Sequence, residues 1–291
     1  MAWPCSRTGV CLRAFERVPL LAVAVLVAVA LAATSCSGRT VVAVDPYACA
    51  DASPNGCPPG LLDDLIGFWR LNDGAGNATS RDWSGWGNDG ALIDLDPATA
   101  WVAGGPEGTA LAVQGNGYVS VSPSVSIDSI GNALTVVASL YLDGPINDHA
   151  TAISRQIGST VDQLYYLSVE ASGKPRLIID APDGYIVLAS ADKVPERTWV
   201  HLAGTWGGKE AHLYVDGVEV NRGALDSGPF QPVTNPLVLG GNGNDTQVTE
   251  RVPGQLSDVM LYRRALDAVQ IGQLAKGALL LVTAPSDGGG Q

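Results

Sequence analysis

Between Leu134 and Leu142 the chain alternates: Leu134, Val136, Ala138, Leu140 and Leu142 share one parity, and Thr135, Ser139 and Tyr141 fall between them. Successive side chains of a strand point to opposite faces, so this period of two predicts a β-strand with one face on a core and one wetter face. Segment 165–170 repeats the pattern, with Tyr165, Leu167 and Val169 opposed to Tyr166, Ser168 and Glu170. Runs at 199–206 and 211–215 are split by Gly207 and Gly208, and Val215-Asp216-Gly217-Val218 sets an Asp-Gly pair between β formers. That pair predicts a two-residue type I′ hairpin turn. Further runs at 67–71, 110–113, 118–121, 176–179, 185–189, 237–240 and 255–262 raise the expectation to about a dozen strands. Only 266–274 reads as a helix, with Leu266, Val269, Ile271 and Leu274 as its apolar stripe. The chain is therefore expected to be all-β, a two-sheet antiparallel β-sandwich with one short C-terminal helix.

The N-terminus follows another logic. Arg7, Arg13 and Arg17 precede an uncharged stretch, 18–33, of sixteen residues. A permanent span needs about 20 apolar residues, so this order predicts a signal peptide over 1–35. Small residues follow in Leu31-Ala32-Ala33-Thr34-Ser35-Cys36, a sequence that resembles the lipobox of bacterial lipoproteins. The resemblance implies a lipid on Cys36 and attachment to a membrane through it, although Ala33 stands where that family usually has Leu. Ser37 after the cysteine implies the outer membrane where a cell has one. Cleavage after Ala30-Leu31-Ala32 also fits the small-x-small rule, so soluble secretion and an uncleaved anchor both stay open.

Five cysteines divide around this site: Cys5 and Cys11 fall in the signal, Cys36 at its end, and Cys49 and Cys57 beyond it. An exported chain meets an oxidising compartment, so Cys49 and Cys57 are expected to form a disulfide, with two free thiols as the alternative. Segment 36–60 is rich in Ser, Pro, Asp and Ala without a sustained apolar period and reads as a tether. The folded domain is expected over 61–276, with 277–291 a tail ending in Gly288-Gly289-Gly290. The formal net charge is −12, which argues against nucleic acid as a partner and suits a solvated extracellular surface.

Six blocks recur in a recognisable order. They are Gly67-Phe68-Trp69-Arg70-Leu71-Asn72-Asp73-Gly74, Asp82-Trp83-Ser84-Gly85-Trp86-Gly87-Asn88-Asp89-Gly90, Gly115-Asn116-Gly117-Tyr118-Val119, Trp199-Val200-His201-Leu202-Ala203, Leu213-Tyr214-Val215-Asp216-Gly217, and Gly254-Gln255-Leu256-Ser257-Asp258-Val259. Together they resemble the laminin-G-like jelly rolls, related in fold to concanavalin A-like lectins and glucanases. Trp86 departs from that family, which usually has Asn between the two glycines. The resemblance implies a jelly-roll β-sandwich and, in many members, a structural calcium held by oxygen ligands; Asp73, Asp82, Asn88 and Asp258 occupy the matching blocks.

Catalytic relatives carry paired carboxylates in an E-x-D-x-E run on one strand, and this chain has none. Its nearest pair, Asp94 and Asp96, precedes Pro97 in an expected loop. His149, His201 and His212 are scattered, with His201 and His212 read as a structural pair on neighbouring strands. A sugar site needs aromatic faces with polar groups beside them, and Tyr166, Trp199, His201 and Tyr214 are the candidates. The resulting expectation is an envelope-anchored, non-catalytic module that binds carbohydrate or a cell-surface protein. A purely structural or adhesive lipoprotein and a glycan-processing enzyme are the alternatives.

Overall fold

The computed structural model describes residues 60–155, 164–231, 233, 235–244 and 247–279. Cys36, Cys49, Cys57 and the expected signal peptide lie outside the described residues.

Two antiparallel eight-stranded sheets stack face to face. The first runs from Val218–Ala224 through Glu210–Val215, Trp199–Trp206, Leu134–Leu142, Gly254–Tyr262 and Thr109–Val113 to Trp101–Ala103, and Leu65–Trp69 also pairs with Gly254–Tyr262. The second runs from Gly184–Ala189 through Pro175–Ala181, Leu164–Glu170, His149–Arg155, Leu237–Leu239, Tyr118–Val121 and Gly90–Ile93 to Thr79–Ser80. Their inner faces share a core that includes Leu111, Leu140, Ile153, Leu167, Leu202 and Trp206.

The expected hairpin forms as read. Asp216 and Gly217 take φ of 49° and 79°, the left-handed pair that a type I′ turn demands. The expected jelly-roll sandwich is present, with one helix at Ala268–Leu274. Asp267 caps that helix: its side chain accepts the Gln270 N–H, and the Gln270 side chain returns to the Asp267 N–H.

Four expectations need correction. The outer face of Leu134–Leu142 is dry over its first half, because a second apolar cluster covers it there; Val137, Met260, Tyr262, Phe68 and Leu65 meet Ile271 and Leu274 of the helix. Thr135 tolerates this burial since its Oγ1 donates to the Arg264 carbonyl and accepts the Leu266 N–H. Val269 does not join the helix stripe and is 70% exposed, because two residues along a helix place it about 200° from Ile271. The strand expected over 67–71 instead spans Leu65–Trp69, since Leu71 turns into left-handed backbone with φ 57°. Finally, several strands were not anticipated, among them Gly90–Ile93, Trp101–Ala103, Asn242–Asn244 and the longer His149–Arg155. Its polar residues Thr151, Ser154 and Arg155 are buried because distant groups serve them; Ser154 donates to the Gly241 carbonyl and Arg155 pairs with Asp128.

The middle of the first sheet is tightly closed at Gly254. A Cβ there would lie 2.0 Å from the Tyr141 carbonyl oxygen and 3.1 Å from the Asp143 nitrogen, both backbone atoms. Gly254→Ala is therefore expected to destabilise the domain by about 1–3 kcal/mol through strand displacement, read as a lower urea midpoint. An unchanged midpoint would show that the two strands separate freely.

Candidate ligand-binding cleft

Helix Ala268–Leu274 covers only part of the outer face of the first sheet. Gly277, with φ 78°, ends it in left-handed backbone, and the Ala278 N–H returns to the Gln273 carbonyl. Beyond this cap the sheet is uncovered, and a cavity of about 360 Å³ opens against it.

The strand register builds its floor. Trp199 lies opposite Tyr141, which lies opposite Gln255; in the next rung His201, Ser139 and Ser257 line up the same way. After Ser257 the register shifts before Met260, and Asp258 sits in this irregularity with φ 50°. Such a bulge re-aims a side chain, and it accounts for Asp258 lining the cavity from a strand whose parity would otherwise point it inward. Asp216 of the hairpin, Pro106 and the turn through Ala275, Lys276 and Gly277 form the walls.

Polar atoms without partners mark the cavity. Neither ring nitrogen of His201 has a hydrogen-bond partner among the described residues, and burial lowers its pKa to about 4. The Asp216 carboxylate opposes that shift, and its Oδ1 accepts the His201 backbone N–H at 2.9 Å. Asp258 is 3% exposed; its Oδ2 accepts from Ser257 Oγ at 2.9 Å, while Oδ1 has no partner among the described residues. Burial pushes its carboxyl up to about 7, the nearby Glu107 adds to this, and Ser257 and Arg70 work against it. At neutral pH the cleft thus offers an uncharged imidazole and a carboxyl near its midpoint, groups that can both donate and accept. Trp199 lies against Tyr141 at the edge, ring centroids 5.6 Å apart and tilted by 43°.

Of the residues expected to bind ligand or metal, Trp199, His201 and Asp258 gather here. Tyr214 does not line the cleft: it is 2% exposed, lies in the outer apolar cluster under the helix, and burial raises its hydroxyl pKa. Tyr166 lies on the other sheet beneath Arg176, 5.5 Å from the ring, with its hydroxyl pushed up to about 12 by burial. His201 and His212 are not a pair, since register sets His212 opposite Thr205 and its Nδ1 lies 3.0 Å from Glu219. Asp94 and Asp96 lie in an exposed turn, where Asp96 Oδ1 accepts the Ala98 N–H.

Of the four residues matched to a calcium site, Asp82 and Asn88 are already committed to hydrogen bonds within the protein. Asp82 already accepts from the Phe68 and Ser84 N–H groups on Oδ1 and from Ser84 Oγ and the Asn88 N–H on Oδ2. Asn88 Oδ1 accepts from Ser124 and Ser126, and its Nδ2 donates to the Ile66 carbonyl. These two side chains tie a loop to the sheet and have no oxygen left for an ion. Asp73 accepts the Arg81 N–H, and burial holds its carboxyl above the ordinary range.

Sequence reasoning missed Ser139 and Asp216 as cleft residues. Asp216 was visible only as a turn residue, and Ser139 only as a member of a face expected to be wet.

Comparison with known proteins agrees with this architecture. The family model described as "Concanavalin A-like lectin/glucanases superfamily", Laminin_G_3, matches residues 113–272. No curated protein matches. Among solved structures, domain 4 of AbnA, a GH43 extracellular arabinanase from Geobacillus stearothermophilus in complex with arabinotriose, superposes with a TM-score of 0.56 at 19% identity, over 73% of this chain and 98% of that one. The binding domain of Paraclostridial Mosquitocidal Protein 1 gives 0.56 at 15% identity over 75% of this chain and 53% of its own. A Trypanosoma rangeli sialidase mutant displaying trans-sialidase activity gives 0.56 at 17% identity over 79% of this chain, which spans only 35% of the sialidase. At such identities the solved structures speak for the fold alone, whereas the family model covers more than half of the sequence. The chain belongs to the laminin-G-like family of the concanavalin A-like lectin/glucanases superfamily.

Proposed function

We propose that this protein is an exported, non-catalytic module that binds carbohydrate in the cleft at Trp199, His201 and Asp258. One observation carries the reading: buried polar atoms without partners, His201 Nδ1 and Nε2 and Asp258 Oδ1, surround a cavity of about 360 Å³ beside an aromatic pair. Buried polar groups are costly unless bonded, and sugar hydroxyls are both donors and acceptors of the kind that would satisfy them. The volume falls in the range of small-ligand clefts, roughly 300–1,000 Å³. An arabinanase domain of the same fold was solved with arabinotriose, which makes neutral oligosaccharides the first ligands to try.

The non-catalytic part rests on the sequence holding no E-x-D-x-E run and on the exposed turn position of Asp94 and Asp96. The anchoring part rests on the sequence at Cys36, which would hold the module at the envelope through residues 36–60.

Isothermal titration with arabinotriose and a panel of neutral oligosaccharides tests the site. A saccharide should bind the parent and bind Trp199→Ala and His201→Ala at least about tenfold more weakly, about 1.4 kcal/mol. If nothing on the panel binds, or if both variants bind as the parent does, the cleft is not a sugar site; release of reducing ends would make it an enzyme.

A further inference from the structure

On the second sheet, away from the cleft, three side chains converge that no part of the reading above uses. His149 opens strand His149–Arg155, Asp148 directly precedes it, and Glu250 directly follows Gln247–Thr249 with left-handed backbone, φ 47°. Their ligand atoms all lie within 4.8 Å of one another. His149 Nδ1 is 2.8 Å from Asp148 Oδ1 and 3.6 Å from Glu250 Oε1.

Glu250 is held in place from behind. Its Oε2 accepts from Thr151 Oγ1 and from Asn242 Nδ2, both at 3.1 Å, and its backbone carbonyl accepts the Thr151 N–H at 2.9 Å. These donors occupy one carboxylate oxygen and leave Oε1 facing the imidazole. His149 Nδ1 is itself buried and, despite its short distance to Asp148, makes no hydrogen bond of normal geometry. Among the described residues, His149 is the only basic side chain that pairs with either carboxylate. Two carboxylate oxygens and a ring nitrogen thus lie close enough together to share one ion.

We propose that Asp148, His149 and Glu250 form a surface site for a divalent transition ion, zinc being the best match. A neutral imidazole nitrogen and two carboxylate oxygens are borderline donors suited to such an ion, whereas calcium takes six to eight oxygens. Bonds of about 2.0–2.2 Å in a tetrahedral arrangement separate ligand atoms by about 3.3–3.5 Å, and the observed 2.8 and 3.6 Å bracket that spacing. Asp148 is 73% exposed and free to adjust, and a water completes the fourth position. Thr151 and Asn242 orient the Glu250 ligand in the way outer partners orient metal-bound carboxylates. The bound ion ties the start of strand His149–Arg155 to the segment leading into Gly254–Tyr262.

The test uses the full, tag-free chain stripped of metal and titrated with zinc chloride alone. Zinc should bind with micromolar affinity and, at about a hundredfold excess over Kd, raise the thermal midpoint by about 5 °C. His149→Gln and Glu250→Gln should each weaken binding at least about tenfold. Cobalt(II) in the unmodified chain gives a readout that needs no variant: the intense visible absorption of a four-coordinate ion is expected. No binding at millimolar zinc, a cobalt spectrum like that of the aqua ion, or binding by both variants equal to that of the unmodified chain would overturn the site. A protonated His149 bridging two carboxylates would produce the first of these results.

Discussion

Asp258→Asn and His201→Gln are expected to tilt the pH dependence of stability in opposite directions. Asp258 titrates near 7 in the fold against 3.8 for the ordinary group, so between those values the folded state holds the proton more tightly. Its contribution is fully present below about pH 4 and lost as pH rises through 7, on the order of 4 kcal/mol at 1.36 kcal/mol per pKa unit. His201 is the mirror case: its pKa falls from 6.5 to about 4, so the unfolded chain holds the proton more tightly. That contribution is present above pH 6.5 and lost as pH falls towards 4, on the order of 3 kcal/mol. In the parent the two slopes offset between about pH 4 and 6.5. Removing Asp258 leaves the histidine slope, so relative to the parent stability should rise with pH across that window. Removing His201 leaves the carboxyl slope, and stability should fall from pH 4 to 7. Urea midpoints at pH 4.5 and 7 for the three proteins read this directly. Parallel profiles in all three would mean that neither group titrates as its burial demands.

Trp206→Ala should bring the domain close to unfolding. Trp206 is fully buried where the inner faces of the sheets meet, its Nε1 donates to the Leu225 carbonyl at 3.0 Å, and Phe230 meets its ring edge-on at 5.3 Å. Truncating a buried tryptophan costs about 3–5 kcal/mol, and here it also leaves a buried carbonyl without its donor. Against a net stability of about 5–15 kcal/mol, that loss is a large fraction. Urea unfolding followed by far-ultraviolet circular dichroism should show the midpoint collapse, with Trp206→Phe recovering part of it. A loss below about 1 kcal/mol would show that the sheets close over the vacated volume.

Much of the fold was legible because it rests on local physics. Alternation at Leu134–Leu142 and over 165–170, and the Asp-Gly pair at 216–217, depend on side-chain period and backbone dihedral preference, which neighbouring residues set. Strand His149–Arg155 was not legible, since its buried Ser154 is served by Gly241, 87 positions away, and no local pattern announces such a partner. The cleft was legible only in pieces: Trp199, His201 and Asp258 were singled out, but for a sugar site in one case and an ion in the other.

By itself, then, the sequence determined the all-β class, the positions of most strands, the tight hairpin and the family. The tertiary structure alone decided that both faces of Leu134–Leu142 are buried over its first half, that a bulge swings Asp258 into a cavity beside His201, and that Glu250 meets His149. Conformational preference is a property of a few consecutive residues, whereas burial, and with it the charge state of an aspartate or a histidine, is a sum over neighbours that only the completed fold assembles.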